Sequence, residues 1–88
     1  MADAAAPRDF TLEPEDGERL ANLAGPLDAH FRQIELRLGV QIANRGGVFR
    51  VSGPDKATTV AERLLRQLWA DTESEVLTPE AIHLRLGA

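Results

Sequence analysis

The chain has 88 residues, no cysteine and a formal net charge of −4. A chain of this length makes one domain that buries roughly two thirds or less of its unfolded surface, which leaves little room for an enclosed active site. The missing cysteines exclude disulfides, thiolate metal sites and cysteine nucleophiles and are compatible with a reducing cytoplasm. No run is apolar enough for a membrane helix or a signal peptide.

Met1 to Arg8, rich in alanine and carrying Pro7, reads as a disordered N-terminal tail, which sets the expected domain at residues 9–88. Phe10 and Leu12 alternate with Thr11 and Glu13 as a short strand. Pro14 then opens an acidic helical turn that carries Leu20, Leu23 and Ala24 inward, with Gly17 blurring where that helix begins. A Gly25-Pro26-Leu27-Asp28 turn starts the next helix. Its Leu27, Phe31, Ile34 and Leu38 fall at the i, i+4, i+7, i+11 positions of one helical face. Pro26 suits a first helical position, and Gly39 suits the left-handed residue that closes a helix.

Val40 and Ile42 alternate with polar neighbours as a strand does, and Asn44-Arg45-Gly46-Gly47 is a dense turn signal. Beyond it Phe49 and Val51 share one face while Val48 and Arg50 share the other, so the two strands read as a hairpin. Ser52-Gly53-Pro54-Asp55 ends the hairpin and starts a long helix. Ala57, Val60, Ala61, Leu64, Leu65, Leu68 and Trp69 cover its inner face. In the tail, Thr78-Pro79-Glu80 fits a capped helical turn, while Ile82, Leu84 and Leu86 alternate like an additional C-terminal strand. The expected class is α+β in the order βααββα, with a three-stranded sheet packed on one face by helices.

Charge is uneven along the chain. Residues 1–29 carry two basic and seven acidic groups, residues 30–66 seven and three, and residues 67–88 one and four. The central unit is therefore locally basic inside an acidic chain. A solvated surface accounts for such unevenness, and a phosphate-facing patch is the sharper reading. Signals for catalysis are weak. His30 and His83 lack metal-ligand spacing, no Ser, His and Asp set is suggested, and Glu13, Glu15 and Asp16 read as a solvated helix start. The expectation is a binding module, not an enzyme, with no cofactor and no metal; a small independent enzyme needs a pocket for which the sequence gives no reason.

Gly25-Pro26-Leu27-Asp28, Phe31-Arg32, Ile34, Gly39-Val40, Ile42 and Val51-Ser52-Gly53 fall at the spacings of the KH core, so the chain resembles the type I, βααββα form of that fold. A closer resemblance covers Phe10 to Leu86. Leu12-Glu13-Pro14, Leu23-Ala24-Gly25-Pro26, Ile34-Glu35, Arg37-Leu38-Gly39-Val40 and Ile82-His83-Leu84 look like the N-terminal KH-like domain of PhoH-like proteins. That resemblance implies a cytoplasmic bacterial protein linked to RNA metabolism, whose partners are single-stranded RNA and the C-terminal P-loop ATPase domain of the parent. This chain has no G-x-x-x-x-G-K-[ST], so it would be the accessory domain alone, with ATP binding and hydrolysis elsewhere in the parent.

In the KH fold a Gly-x-x-Gly turn lets an RNA backbone approach the N-terminus of the following helix. Gly25, Pro26 and Leu27 occupy its first three positions. Asp28 replaces the fourth glycine, either repelling phosphate or simply complementing the helix dipole. Arg32, Arg45, Arg50 and Lys56 complete the nucleic-acid candidates, although Arg32 can pair with Glu35 and Lys56 sits beside Asp55. Leu36 falls opposite the Leu27, Phe31, Ile34 stripe, and with Trp69 it is a candidate protein-docking contact, core packing being the plainer role for Trp69. The alternative function is accordingly a protein-interaction or oligomerisation module that keeps the KH shape without its phosphate turn.

Overall fold

The computed structural model describes residues 7–87. Strand β1 (Arg8–Thr11) is followed by helix α1 (Gly17–Ala24), a 3-10 turn (Pro26–Asp28), helix α2 (Ala29–Leu38), the hairpin β2 (Gln41–Arg45) and β3 (Val48–Ser52), the long helix α3 (Asp55–Asp71) and a short helix α4 (Pro79–Arg85). The expected α+β class and the βααββα order are present, with α4 added at the end. The strands form one antiparallel sheet in the order β1-β3-β2, so β3 is central and β2 is an edge.

Alternation decides which face of the sheet is covered. Phe10, Phe49 and Val51 point inward and are buried, while Asp9, Thr11, Val48 and Arg50 point outward and are exposed. Phe49 stacks on Phe10 at 5.6 Å between ring centroids and meets the edge of Phe31 at 5.6 Å, contacts worth about 0.5–1.5 kcal/mol each beyond the area they bury. Above them α3 contributes Ala61, Leu64, Leu65, Leu68 and Trp69, α1 contributes Leu23, and α2 contributes Phe31 and Ile34.

Local chemistry fixes the helix ends. Asp16 caps α1, its Oδ1 accepting from the Arg19 N–H at 3.1 Å. Gly39 closes α2 at φ +70, its N–H donating to the Glu35 carbonyl at 2.8 Å.

Two expectations about the ends of the chain change. The tail expected over residues 1–8 lies outside the described residues except for its end, where Arg8 is already in β1. It pairs with Val51, and its guanidinium donates to Glu62 Oε1 at 3.2 Å and Thr59 Oγ1 at 2.9 Å. At the other end, Ile82, Leu84 and Leu86 do not form an additional C-terminal strand. Thr78 Oγ1 accepts from the Ala81 N–H at 3.1 Å and Pro79 takes a first-turn position, so the segment winds into α4. Ile82 is then fully buried and Leu86 partly so, while Leu84 is 76% exposed. Residues four apart share a face in both a helix and a strand, and Leu84 between them tells the two apart.

Side chains of α1 and α2 pin the connection into α4. Asn22 Oδ1 accepts from the Leu77 N–H and its Nδ2 donates to the Glu75 carbonyl, each at 2.8 Å. Gln33 Nε2 donates to the Pro79 carbonyl at 2.9 Å, and Arg85 pairs with Asp71 at 2.7 Å.

Candidate functional site

The Gly25-to-Asp28 turn has an unexpected conformation. Helix α2 begins at Ala29, and both Leu27 (φ 53) and Asp28 (φ 60) are left-handed although neither is glycine, a conformation that costs on the order of 1–3 kcal/mol per residue. Leu27 therefore does not join the Phe31, Ile34 stripe as its spacing suggests; it stands 89% exposed at the tip of the turn. Asp28 sits at the N-cap of α2 but makes no side-chain capping bond.

Gly25 is needed for a reason internal to the fold. Its backbone (φ 77, ψ 169) lies in a region essentially reserved for glycine. A Cβ there would also lie 2.7 Å from Cγ of His30 and 2.8 Å from Nδ1. His30 is only 3% exposed, with Nδ1 3.2 Å from the Leu23 carbonyl oxygen. Sequence spacing leaves His30 beside the core stripe as a surface imidazole; the structure buries it directly beneath Gly25.

Alongside this turn, a groove of about 620 Å³ runs between α2 and the β2 edge. Val40, Ile42, Ala43 and Leu36 supply apolar surface, and Arg32, Glu35, Gln41, Arg50 and Ser52 supply the polar groups. Leu36 is 87% exposed on its helix. Arg32 Nη2 donates to the Leu27 carbonyl at 3.2 Å, which links the groove to the strained turn. The Arg32 and Glu35 side chains do not bond to each other. Glu35 Oε2 instead accepts from the Ile42 N–H at 2.8 Å, covering part of the exposed edge of β2.

Arg50 reaches the groove from the outer face of the sheet, held in a two-pronged bond to Asp9 across the β1 and β3 ladder at 2.7 and 3.0 Å. The hydrogen bond donated by Arg50 holds the Asp9 carboxyl below its ordinary value, and the same bond raises Arg50. The pair is solvent-exposed on both sides.

The candidates thus separate. Arg32, Arg50 and Leu36 converge on one groove, with Gly25, Pro26 and Leu27 forming the turn next to Arg32. Arg45 does not join them. It lies at the far end of β2 beside a second depression lined by Thr11, Leu12, Glu13, Pro14, Glu15 and the Gly46-Gly47 turn, with acidic residues as neighbours. Lys56 is exposed in the first turn of α3 and lines neither depression.

Trp69 is corrected from docking contact to core. It is 5% exposed, its Nε1–H donates to the Glu13 carbonyl at 2.9 Å, and the Arg19 guanidinium covers its ring at 4.3 Å. A buried indole needs a partner for its N–H, and a carbonyl 56 residues away in sequence supplies it. Glu35, Gln41 and Ser52 are the groove residues that spacing alone did not single out; the only signal was Glu35 lying one turn from Arg32.

Among the described residues, no group of three or more His, Asp or Glu is placed to hold a metal ion. Likewise no described helix is long and apolar enough to cross a membrane. No protein-family model matches the chain, and no solved structure matches it.

Proposed function

We propose that the chain is a single-stranded RNA-binding accessory domain that works beside a P-loop ATPase domain, as its resemblance to PhoH-like proteins implies. The observation that carries this reading is the groove between α2 and β2. Its apolar lining of Leu36, Ile42 and Ala43 suits the faces of unstacked bases, and Arg32 lies on its helical wall. The left-handed Leu27 and Asp28 add a strained segment of the sort that clusters at binding sites.

Fluorescence anisotropy of a labelled single-stranded RNA across a salt series tests the proposal. Affinity should fall steeply with salt, and Arg32→Ala should weaken binding and flatten the slope of log K against log salt by about 0.7, the value for one lost contact on a single strand. Arg45→Ala should change little, because Arg45 lies outside the groove. Salt-independent binding, or an Arg32→Ala variant that binds as the parent does, overturns the proposal.

The exposed Leu36 beside an edge strand favours a second reading, a protein-interaction surface on the same groove. In that case Leu36→Ser abolishes association, and salt matters little.

A further inference from the structure

We infer that Glu35 makes the groove selective for guanine among the bases of a single strand. This rests on the RNA reading above and names the base that the same site prefers.

A carboxylate on the wall of a groove meant for a polyanion is unfavourable unless it faces the bases and not the phosphates. Its position supports that arrangement. Glu35 is half-buried, lines the groove, and is fixed by the Ile42 N–H at 2.8 Å from Oε2. It is not neutralised by Arg32, whose guanidinium turns back to the Leu27 carbonyl. An ionised carboxylate only accepts, and its two oxygens hold about four acceptor positions. One is taken by Ile42, and the others are left for a ligand.

Guanine is the base whose Watson–Crick edge presents adjacent donors, N1–H and the N2 amino group, able to meet both oxygens of a carboxylate in parallel. Adenine would place the N1 lone pair against Glu35, uracil two carbonyl oxygens around a single N–H, and cytosine one amino group beside an acceptor. Leu36 and Ile42 provide apolar surface for the ring, and Arg32, three residues earlier on the same helix and bonded through Nη2 to the Leu27 carbonyl, keeps its other N–H groups for the phosphate. Because the Ile42 bond already orders the Glu35 side chain, little rotamer freedom is left to lose on binding.

The test uses the full chain and short uridine-rich single strands identical except at one position, which carries guanine, inosine, adenine, cytosine or uracil. Anisotropy titrations should show the guanine strand binding about tenfold or more tighter than the adenine strand, as expected for a two-pronged base contact. Inosine, which keeps N1–H and lacks the N2 amino group, should fall between them. Glu35→Gln still accepts from Ile42 but pairs a donor with an acceptor, so its guanine preference should collapse to within about threefold or turn toward adenine. Equal, salt-dependent binding of all the strands overturns the role of Glu35 and leaves the groove reading standing. A Glu35→Gln variant that keeps the full preference overturns it too, and failure of every strand to bind overturns both.

Discussion

Replacing Gly25 by alanine should unfold much of this domain's stability from a single added methyl group. Two costs combine. The backbone at φ 77 and ψ 169 is essentially glycine-only, worth about 1–3 kcal/mol when another residue is forced into it. The new Cβ would stand 2.7–2.8 Å from three ring atoms of His30, and relieving that overlap costs roughly 1–3 kcal/mol, because His30 is buried and cannot swing into solvent without leaving its place beside the Leu23 carbonyl. The sum, about 2–6 kcal/mol, compares with a total stability of roughly 4–13 kcal/mol for 88 residues. Urea unfolding followed by Trp69 fluorescence measures it, and a double-mutant cycle separates the two parts. In a His30→Ala background the packing cost disappears and Gly25→Ala should lose only the backbone share. A Gly25→Ala penalty under about 0.5 kcal/mol, or one equally large in both backgrounds, would refute the reasoning.

Two other outcomes follow from the same contacts. Asn22→Ala removes both bonds to the segment ahead of α4 and leaves the Leu77 N–H without its acceptor; it should cost about 1–3 kcal/mol in urea and raise amide exchange selectively over residues 75–86. Glu62 supplies a pH dependence. Burial alone would push its carboxyl up, but the hydrogen bonds donated by Arg66 and Arg8 outweigh that and hold it below its ordinary 4.5. A carboxyl lowered in the folded state contributes stability above about pH 4.5 that is lost as pH falls through its folded value. Glu62→Gln should therefore be less stable than the parent at pH 7, and the two should converge as the pH is lowered below 4.5. A gap that stays constant with pH contradicts the ion-pair account.

The elements that were legible in the sequence are those whose signals are local. Asn44-Arg45-Gly46-Gly47 between two alternating runs marks the hairpin, and Ser52-Gly53-Pro54 ahead of a helical stripe marks the start of α3. Where spacing misled, the deciding partner lay elsewhere. Leu27 has the right interval for the α2 stripe, but the chain turns left-handed at Leu27 and Asp28, the latter donating its N–H to the Gly25 carbonyl. Nothing in a Leu-Asp pair announces this. Trp69 falls on the inner stripe of α3, which makes core packing its plainer role, but the Glu13 carbonyl that satisfies its N–H is brought to it only by the fold. Arg50 is a nucleic-acid candidate in the sequence, and only the register, which puts Asp9 directly across from it, shows that it is paired.

For the proposed site the sequence marks Arg32 as a nucleic-acid candidate and Leu36 as a docking contact, and both line the groove beside the Val40-to-Ala43 strand. The sequence also groups Arg45 and Lys56 with Arg32, because a charge count along the chain carries no information about which end of a strand or helix a cation occupies. The groove itself needs the return of β2 along α2, a relation set by tertiary packing and sealed by the Glu35 to Ile42 bond.

Titration of the isotope-labelled protein with short single-stranded RNA, following backbone amide shifts at low and moderate salt, tests the central proposal most directly. The account predicts shifts at Arg32, Glu35 and Leu36 and from Val40 to Ala43, weakening as salt rises. An unchanged spectrum at millimolar RNA, or shifts gathered around Arg45 or Lys56 with the groove silent, would contradict it.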